Sequence, residues 1–167
     1  HALAAKLSAP STLIEQLSLQ LSMAHYQYSQ TLNQRKKPAR ALKRVTLAAG
    51  GTCSLGKAKA AVKMGSATGQ GANLTRELVN LPGNICTPKF LAAEARRLAR
   101  NHQSITTSVL DEKKMAELGM HSLLSVGNGS EQPSQLIVMK YQGGAKSDRP
   151  YCLVGKGITF DTGGISL

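Results

Sequence analysis

The sequence has no tryptophan and only two phenylalanines and four tyrosines in 167 residues. None of these rings interleaves with the basic stretches, so a base-stacking platform for single strands is poorly supported. Cysteine is scarce too: Cys53, Cys86 and Cys152 form no Cys-x-x-Cys pair and cannot all pair internally. That pattern fits a reducing compartment, and hence the cytoplasm, better than a disulfide-stapled secreted domain. The four histidines, His1, His25, His102 and His121, make neither His-Glu-x-x-His nor His-x-His, which argues against a zinc site built from Cys and His. Long apolar runs are missing as well. Each is broken by Lys, Arg or Gly, so no segment is expected to span a bilayer, and no charged-then-apolar leader is visible from His1 onward.

Acids are few: nine Asp and Glu stand against 21 Lys and Arg, for a net charge of +12. The excess is uneven. Residues 1–70 hold ten basic side chains (Lys6, Arg35, Lys36, Lys37, Arg40, Lys43, Arg44, Lys57, Lys59, Lys63) and one acid, Glu15, whereas the remainder holds eleven basics and eight acids. A basic front half invites a DNA-binding or acidic-surface reading. The simpler reading is a solvated face whose acidic complement lies elsewhere. Apolar residues at 41% suffice for a core, and the length suits one ordinary domain or the pieces of two.

Local signals divide the chain into elements. Thr12-Leu-Ile-Glu15 reads as a capping box, and Leu13, Leu17, Leu21, Ala24 and Tyr28 recur at helical spacing, predicting a helix over 12–31. Arg35 to Arg40 is a basic loop, and Arg44 to Ala49 is a strand candidate ending at Gly50-Gly51. Leu55 to about Val79 favours a long helix, weakened by Gly65, Gly69 and Gly71. Asn80-Leu-Pro-Gly-Asn84 breaks it. Thr87-Pro88 then starts a helix with Thr as N-cap and Phe90, Leu91, Ala95 and Leu98 on its face. Strands are expected at 105–110, 135–141 and 151–154, and a helix capped by Asp111 runs to Leu118. Strands alternating with helices predict an α/β fold with a largely parallel sheet.

Three constellations could carry chemistry. Gly51-Thr-Cys-Ser-Leu-Gly56-Lys57-Ala58 is one residue short of a phosphate-binding loop, because Ala58 stands where a hydroxyl would ligate magnesium. A strand–turn–helix connection explains it as well. Phe160-Asp161-Thr162-Gly163 copies the local signature of aspartic proteases, but those need a second Asp and an all-β fold. The run Leu153 to Leu167 places Lys156 and Asp161 in a Gly-rich loop after a strand, where open α/β sheets bind ligands. A carboxylate is a hard ligand for a divalent cation. A lysine ligates only as a neutral amine, a form that neighbouring cations favour. On the residues alone, a Lys–Asp ion pair in a turn is the simpler account.

Taken in order, however, these motifs resemble the leucyl (cytosol) aminopeptidase family, dinuclear-metal exopeptidases. The run Leu153 to Leu167 looks like the family signature. Arg76-Glu-Leu-Val-Asn80 with Pro82, Asn84 and Thr87-Pro88 is similar to the opening of its catalytic domain. Gly119-Met-His-Ser-Leu-Leu-Ser-Val-Gly-Asn-Gly-Ser130, Pro133, the strand Leu136 to Tyr141 and Gly143 follow in family order. The likeness is close over 76–167 and loose over 1–75.

The resemblance implies an α/β architecture in three parts. Residues 1–56 would end an N-terminal macro-like α/β domain, 57–79 would be a linker helix, and 80–167 would begin a zinc-exopeptidase-like catalytic domain. It implies two divalent ions (zinc, manganese or magnesium), with Lys156 ligating one through its amine and Asp161 bridging through its carboxylate. It also implies peptide substrates trimmed from the N-terminus, Leu preferred, a homo-hexamer and no membrane. His121 is read as core or surface. No catalytic residue is expected within the chain. In the family the oxyanion-stabilising Lys follows Ile-Ser-Leu, and the further carboxylates and an Arg come later still, all past Leu167. Residues 1–167 alone are therefore expected to be inactive. Some family members bind DNA, which keeps the basic N-terminal part as the alternative interface.

Overall fold

The structure, a computed structural model, describes residues 10–31, 44–48 and 53–160. It divides into two compact units, His1–Leu81 and Pro82–Leu167.

The first unit is built on two helices, α1 (Pro10–Ala24) and α2 (Leu55–Asn80). α1 starts at Pro10 rather than at the Thr12 capping box, since a proline at the first helical position lacks only an amide that would be unpaired there anyway. It also stops at Ala24, short of the expected Ser29-Gln30-Thr31, where the chain turns and Tyr26 reaches across to α2. α1 turns Ile14 and Ser18 inward. A buried serine needs a partner, and the Ser18 hydroxyl donates to the Ile14 carbonyl at 2.8 Å, as Ser22 does to Ser18 at 2.9 Å.

The facing stripe of α2 consists of small residues: Ala58, Ala61, Gly65 and Gly69 are its buried positions. The glycines that weaken α2 as an isolated helix are its contact surface. A β-carbon at Gly65 would stand 2.9 Å from Ser18 Cβ and collide with the Glu15 carbonyl, and one at Gly69 would stand 2.5 Å from Ser22 Cβ. Glycine's helix penalty of about 1 kcal/mol is offset by backbones brought into direct contact. Contacts climb both helices together, from Glu15 and Ser18 at Gly65 to Tyr26 at Glu77, so α1 and α2 run parallel. Leu47 and Cys53 pack on the Ile14–Ala58–Ala61 cluster.

The strand expected at 44–49 is corrected: residues 44–48 form no ladder among the described residues, and Leu47 serves as packing instead. α2 spans the expected range. Ser54 caps it by accepting the Lys57 amide at 3.4 Å, and Leu81, extended at φ −69° and ψ 136°, ends it because the residue before Pro82 avoids the helical region.

In the second unit the Pro82 carbonyl accepts both the Ile85 and Cys86 amides at 2.9 Å, closing a turn that leads into α3 (Pro88–Asn101). Thr87 caps α3 as read, accepting the Phe90 amide at 3.3 Å. Ala92 and Ala95 are its buried residues, and Thr107 of β1 (Ile105–Leu110) donates to the Ala95 carbonyl at 3.0 Å. Asp111 caps α4 (Glu112–Glu117), whose Met115 is fully buried. Gly119, at φ +73°, closes α4 in a left-handed turn that suits glycine. α5 (His121–Gly127) and β2 (Leu136–Tyr141) follow.

The expectation of a largely parallel sheet is overturned among the described residues. β1 and β2 pair antiparallel, from Ile105 opposite Tyr141 to Leu110 opposite Leu136. A parallel crossover must carry the chain back a full strand length, about 20 Å here. α4 and α5 have six and seven residues, about 10 Å each at 1.5 Å per residue, and are separated by the Gly119 turn. They cannot make that return, and the chain re-enters beside the end of β1. The strand expected at 151–154 is absent as well: Tyr151, Leu153 and Val154 are 99%, 97% and 93% exposed and pair with no described strand. An apolar run becomes a strand only when neighbours satisfy its amides and carbonyls.

Candidate metal centre

The Gly-rich run leaves the second unit without regular secondary structure from Tyr151 to Phe160. Lys156 is exposed, and the described residues give its amine no hydrogen bond or ion pair; the ion pairs among them are Arg97–Glu94 and Lys114–Glu117. Asp161 lies outside the described residues, as do Thr162 and Gly163 of the protease-like signature. The simpler Lys156–Asp161 ion pair also falls there.

The end of the described run lies close to the start of its unit. Gly83 faces the Thr159 carbonyl oxygen and the Phe160 side chain so closely that a β-carbon there would meet them at 2.7 and 3.3 Å. Gly83 reads as part of the helix breaker Asn80-Leu-Pro-Gly-Asn84 in sequence. Its nearness to Thr159 and Phe160 had no local signal, because they are more than seventy residues apart.

The other soft and nitrogen ligands are not gathered here. Cys86 is buried and burial pushes its thiol up, which disfavours the thiolate a metal needs. His121 opens α5 at the surface. No three His, Cys, Asp or Glu residues cluster as a metal site among the described residues. The donors offered by the run are thus one amine and one carboxylate. Both are hard ligands that suit divalent zinc, manganese or magnesium, so the residues fit in kind though not in number.

Elsewhere, the phosphate-loop reading finds Gly56 and Lys57 in the first turn of α2 and Ala58 buried in the helix seam, while the strand that the strand–turn–helix alternative needs is not formed among residues 44–48; Gly51 and Thr52 lie outside the described residues. The basic stretch Arg35 to Lys43 also lies outside them, while Arg44, Lys57, Lys59 and Lys63 are exposed.

The polar residues of Arg76-Glu-Leu-Val-Asn80 have a structural use that sequence reading missed. Tyr26 donates to Glu77 at 2.6 Å, Asn80 donates to the Tyr26 oxygen at 3.2 Å, and Arg76 donates to the Met23 carbonyl at 2.9 Å while lying 4.3 Å above the Tyr26 ring. Partial burial, and then the Glu77 bond, raise the Tyr26 phenol above its ordinary value, with Asn80 and Arg76 opposing.

The second unit mixes helix and sheet and its described part ends in the glycine-rich run that bears Lys156. Residues 73–167 match the cytosol aminopeptidase family, catalytic domain, and the chain belongs to that family. Its relatives include proteins named "Probable cytosol aminopeptidase" in several bacteria. That of Thioalkalivibrio sulfidiphilus is 46% identical over 142 residues, 85% of this chain and 29% of the relative. That of Saccharophagus degradans is 44% identical over 155 residues, 93% of this chain and 31% of the relative. That of Pseudomonas syringae pv. syringae is 53% identical over 137 residues, 79% of this chain and 26% of the relative. The chain thus spans less than a third of the length of each of these. No helix among the described residues is long and apolar enough to cross a membrane.

Proposed function

We propose that the complete protein is a metal-dependent aminopeptidase that releases N-terminal residues, Leu preferred, from peptides in the cytoplasm. The observation that carries the reading is the family match over residues 73–167, which includes Lys156 and Asp161. Lys156 through its amine and Asp161 through its carboxylate would help to hold two divalent ions, zinc, manganese or magnesium. When bound, such ions supply a deprotonated water, polarise the scissile carbonyl and hold the free α-amino group of the substrate. That last role accounts for exopeptidase specificity, since an internal peptide bond has no free amine beside it.

Residues 1–56 read as the end of an N-terminal domain, 57–79 as its linker helix and 80–167 as the first part of the catalytic domain, within a homo-hexamer. The test is chelation of the complete protein assayed on a leucyl anilide. Activity should vanish with EDTA, return with zinc or manganese, and be absent on N-acetylated substrate; activity that survives EDTA sinks the reading.

A further inference from the structure

An open groove of about 280 Å³ lies between α1 and α2 of the first unit, lined by Ser11, Glu15, Lys57, Ala60, Ala61 and Met64. Ser11 and Glu15 are one turn apart on α1, and Lys57, Ala61 and Met64 follow at helical spacing on α2. The two helices are locked together at one end of it, where a β-carbon on Gly65 would collide with the Glu15 carbonyl. Its walls are therefore preset, which lowers the ordering cost of taking a ligand.

The lining combines three chemistries. Glu15 is the one acid among residues 1–70, against ten Lys and Arg. Among the described residues neither its carboxylate nor the Lys57 amine is in an ion pair; the pairs there are Arg97–Glu94 and Lys114–Glu117. Ala60, Ala61 and Met64 supply an apolar strip beside them. An unpaired anion, an unpaired cation and an apolar strip together match a zwitterion that carries an apolar side chain. A ligand with one charge would leave the other side chain unmatched. Size narrows the class further, because sites for drug-sized ligands run from about 300 to 1,000 Å³. This groove holds one small molecule and not a length of peptide.

We propose that the groove binds a free α-amino acid with an apolar side chain. Its ammonium sits on Glu15, its carboxylate on Lys57, and its side chain lies along Ala60, Ala61 and Met64. Such amino acids are what the proposed aminopeptidase releases, so the groove would sense product; the binding itself does not depend on that reading. Charges this open to solvent support only weak binding, with Kd about 1 mM.

The experiment is calorimetric titration of L-leucine into the complete protein stripped of metal. Leucine should bind, whereas N-acetyl-leucine and isocaproate, which lack the ammonium, and leucinamide, which lacks the carboxylate, should not. Glu15→Gln and Lys57→Met should each weaken leucine binding about 10-fold. Ala60→Phe, at an exposed position, should fill the groove and abolish it, while Lys59→Met, exposed on the same helix but not in the lining, should change nothing. No heat of binding in the parent overturns the proposal, as does parental affinity in the Glu15, Lys57 and Ala60 variants. Isocaproate that binds as tightly as leucine overturns the zwitterion assignment. If Glu15→Gln does not fold, Lys57→Met and Ala60→Phe decide. Leucine binding in a protein whose activity survives EDTA removes the peptidase reading alone; EDTA-sensitive activity without leucine binding removes this proposal alone.

Discussion

Tyr26 joins the end of α1 to the end of α2 through Glu77, Asn80 and Arg76. Its phenol ionises above the ordinary tyrosine value in the folded chain, so the protonated form is favoured by folding. The stability it contributes is complete below the unfolded value of about 10 and is lost as pH rises through the folded value. Titration at 295 nm should show a late-ionising tyrosine that Tyr26→Phe abolishes. The same substitution should lower the thermal midpoint at neutral pH and flatten its alkaline decline. A late-ionising tyrosine that persists in Tyr26→Phe would refute this assignment. Cys86 gives a second test at this scale: buried, with its thiol raised, it should react with Ellman's reagent only as fast as its unit opens. Reaction at the rate found in denaturant would contradict that burial.

The helix pair turns on what fits between two backbones. Gly65→Ala places a methyl group against the Glu15 carbonyl and Ser18 and should cost about 1–3 kcal/mol, the usual range for overpacking. Gly71→Ala, on the same helix with nothing within 4 Å of the new carbon, should gain about 0.5–1 kcal/mol from helix propensity alone. Opposite signs in chemical denaturation are the expected outcome, and equal effects would mean that the close approach at Gly65 is not real. At the start of α3, Thr87→Ala removes the acceptor of the Phe90 amide and should cost about 1 kcal/mol, while Thr87→Ser should retain most of it.

For the molecule as a whole, metal binding and folding share one free energy. A cation that binds only the native state at one hundred times its Kd stabilises it by about 2.7 kcal/mol. Manganese or zinc should therefore raise the unfolding midpoint of the complete protein, and Lys156→Ala should remove part of that rise by deleting a donor. An equal rise in parent and variant would exclude Lys156 from the site.

Read by itself, the sequence determined what short-range chemistry controls. The Thr87 and Asp111 caps, the extent of α2 and the strand Ile105–Leu110 were all legible, because each depends on residues within a few positions of one another. The ordered motifs around Lys156 and Asp161 were equally legible and carried the family. Tertiary structure decided the rest. The antiparallel order of β1 and β2 follows from helices too short to recross a strand. The run at Tyr151–Val154 has strand composition but no ladder, since pairing is conferred by neighbours and not by composition. Gly65 and Gly69 looked like weak points and are the helix seam; Gly83 looked like a breaker and faces Thr159 and Phe160. In each case the deciding contact joins residues far apart in the chain, and such contacts leave no periodicity for a local reading to detect.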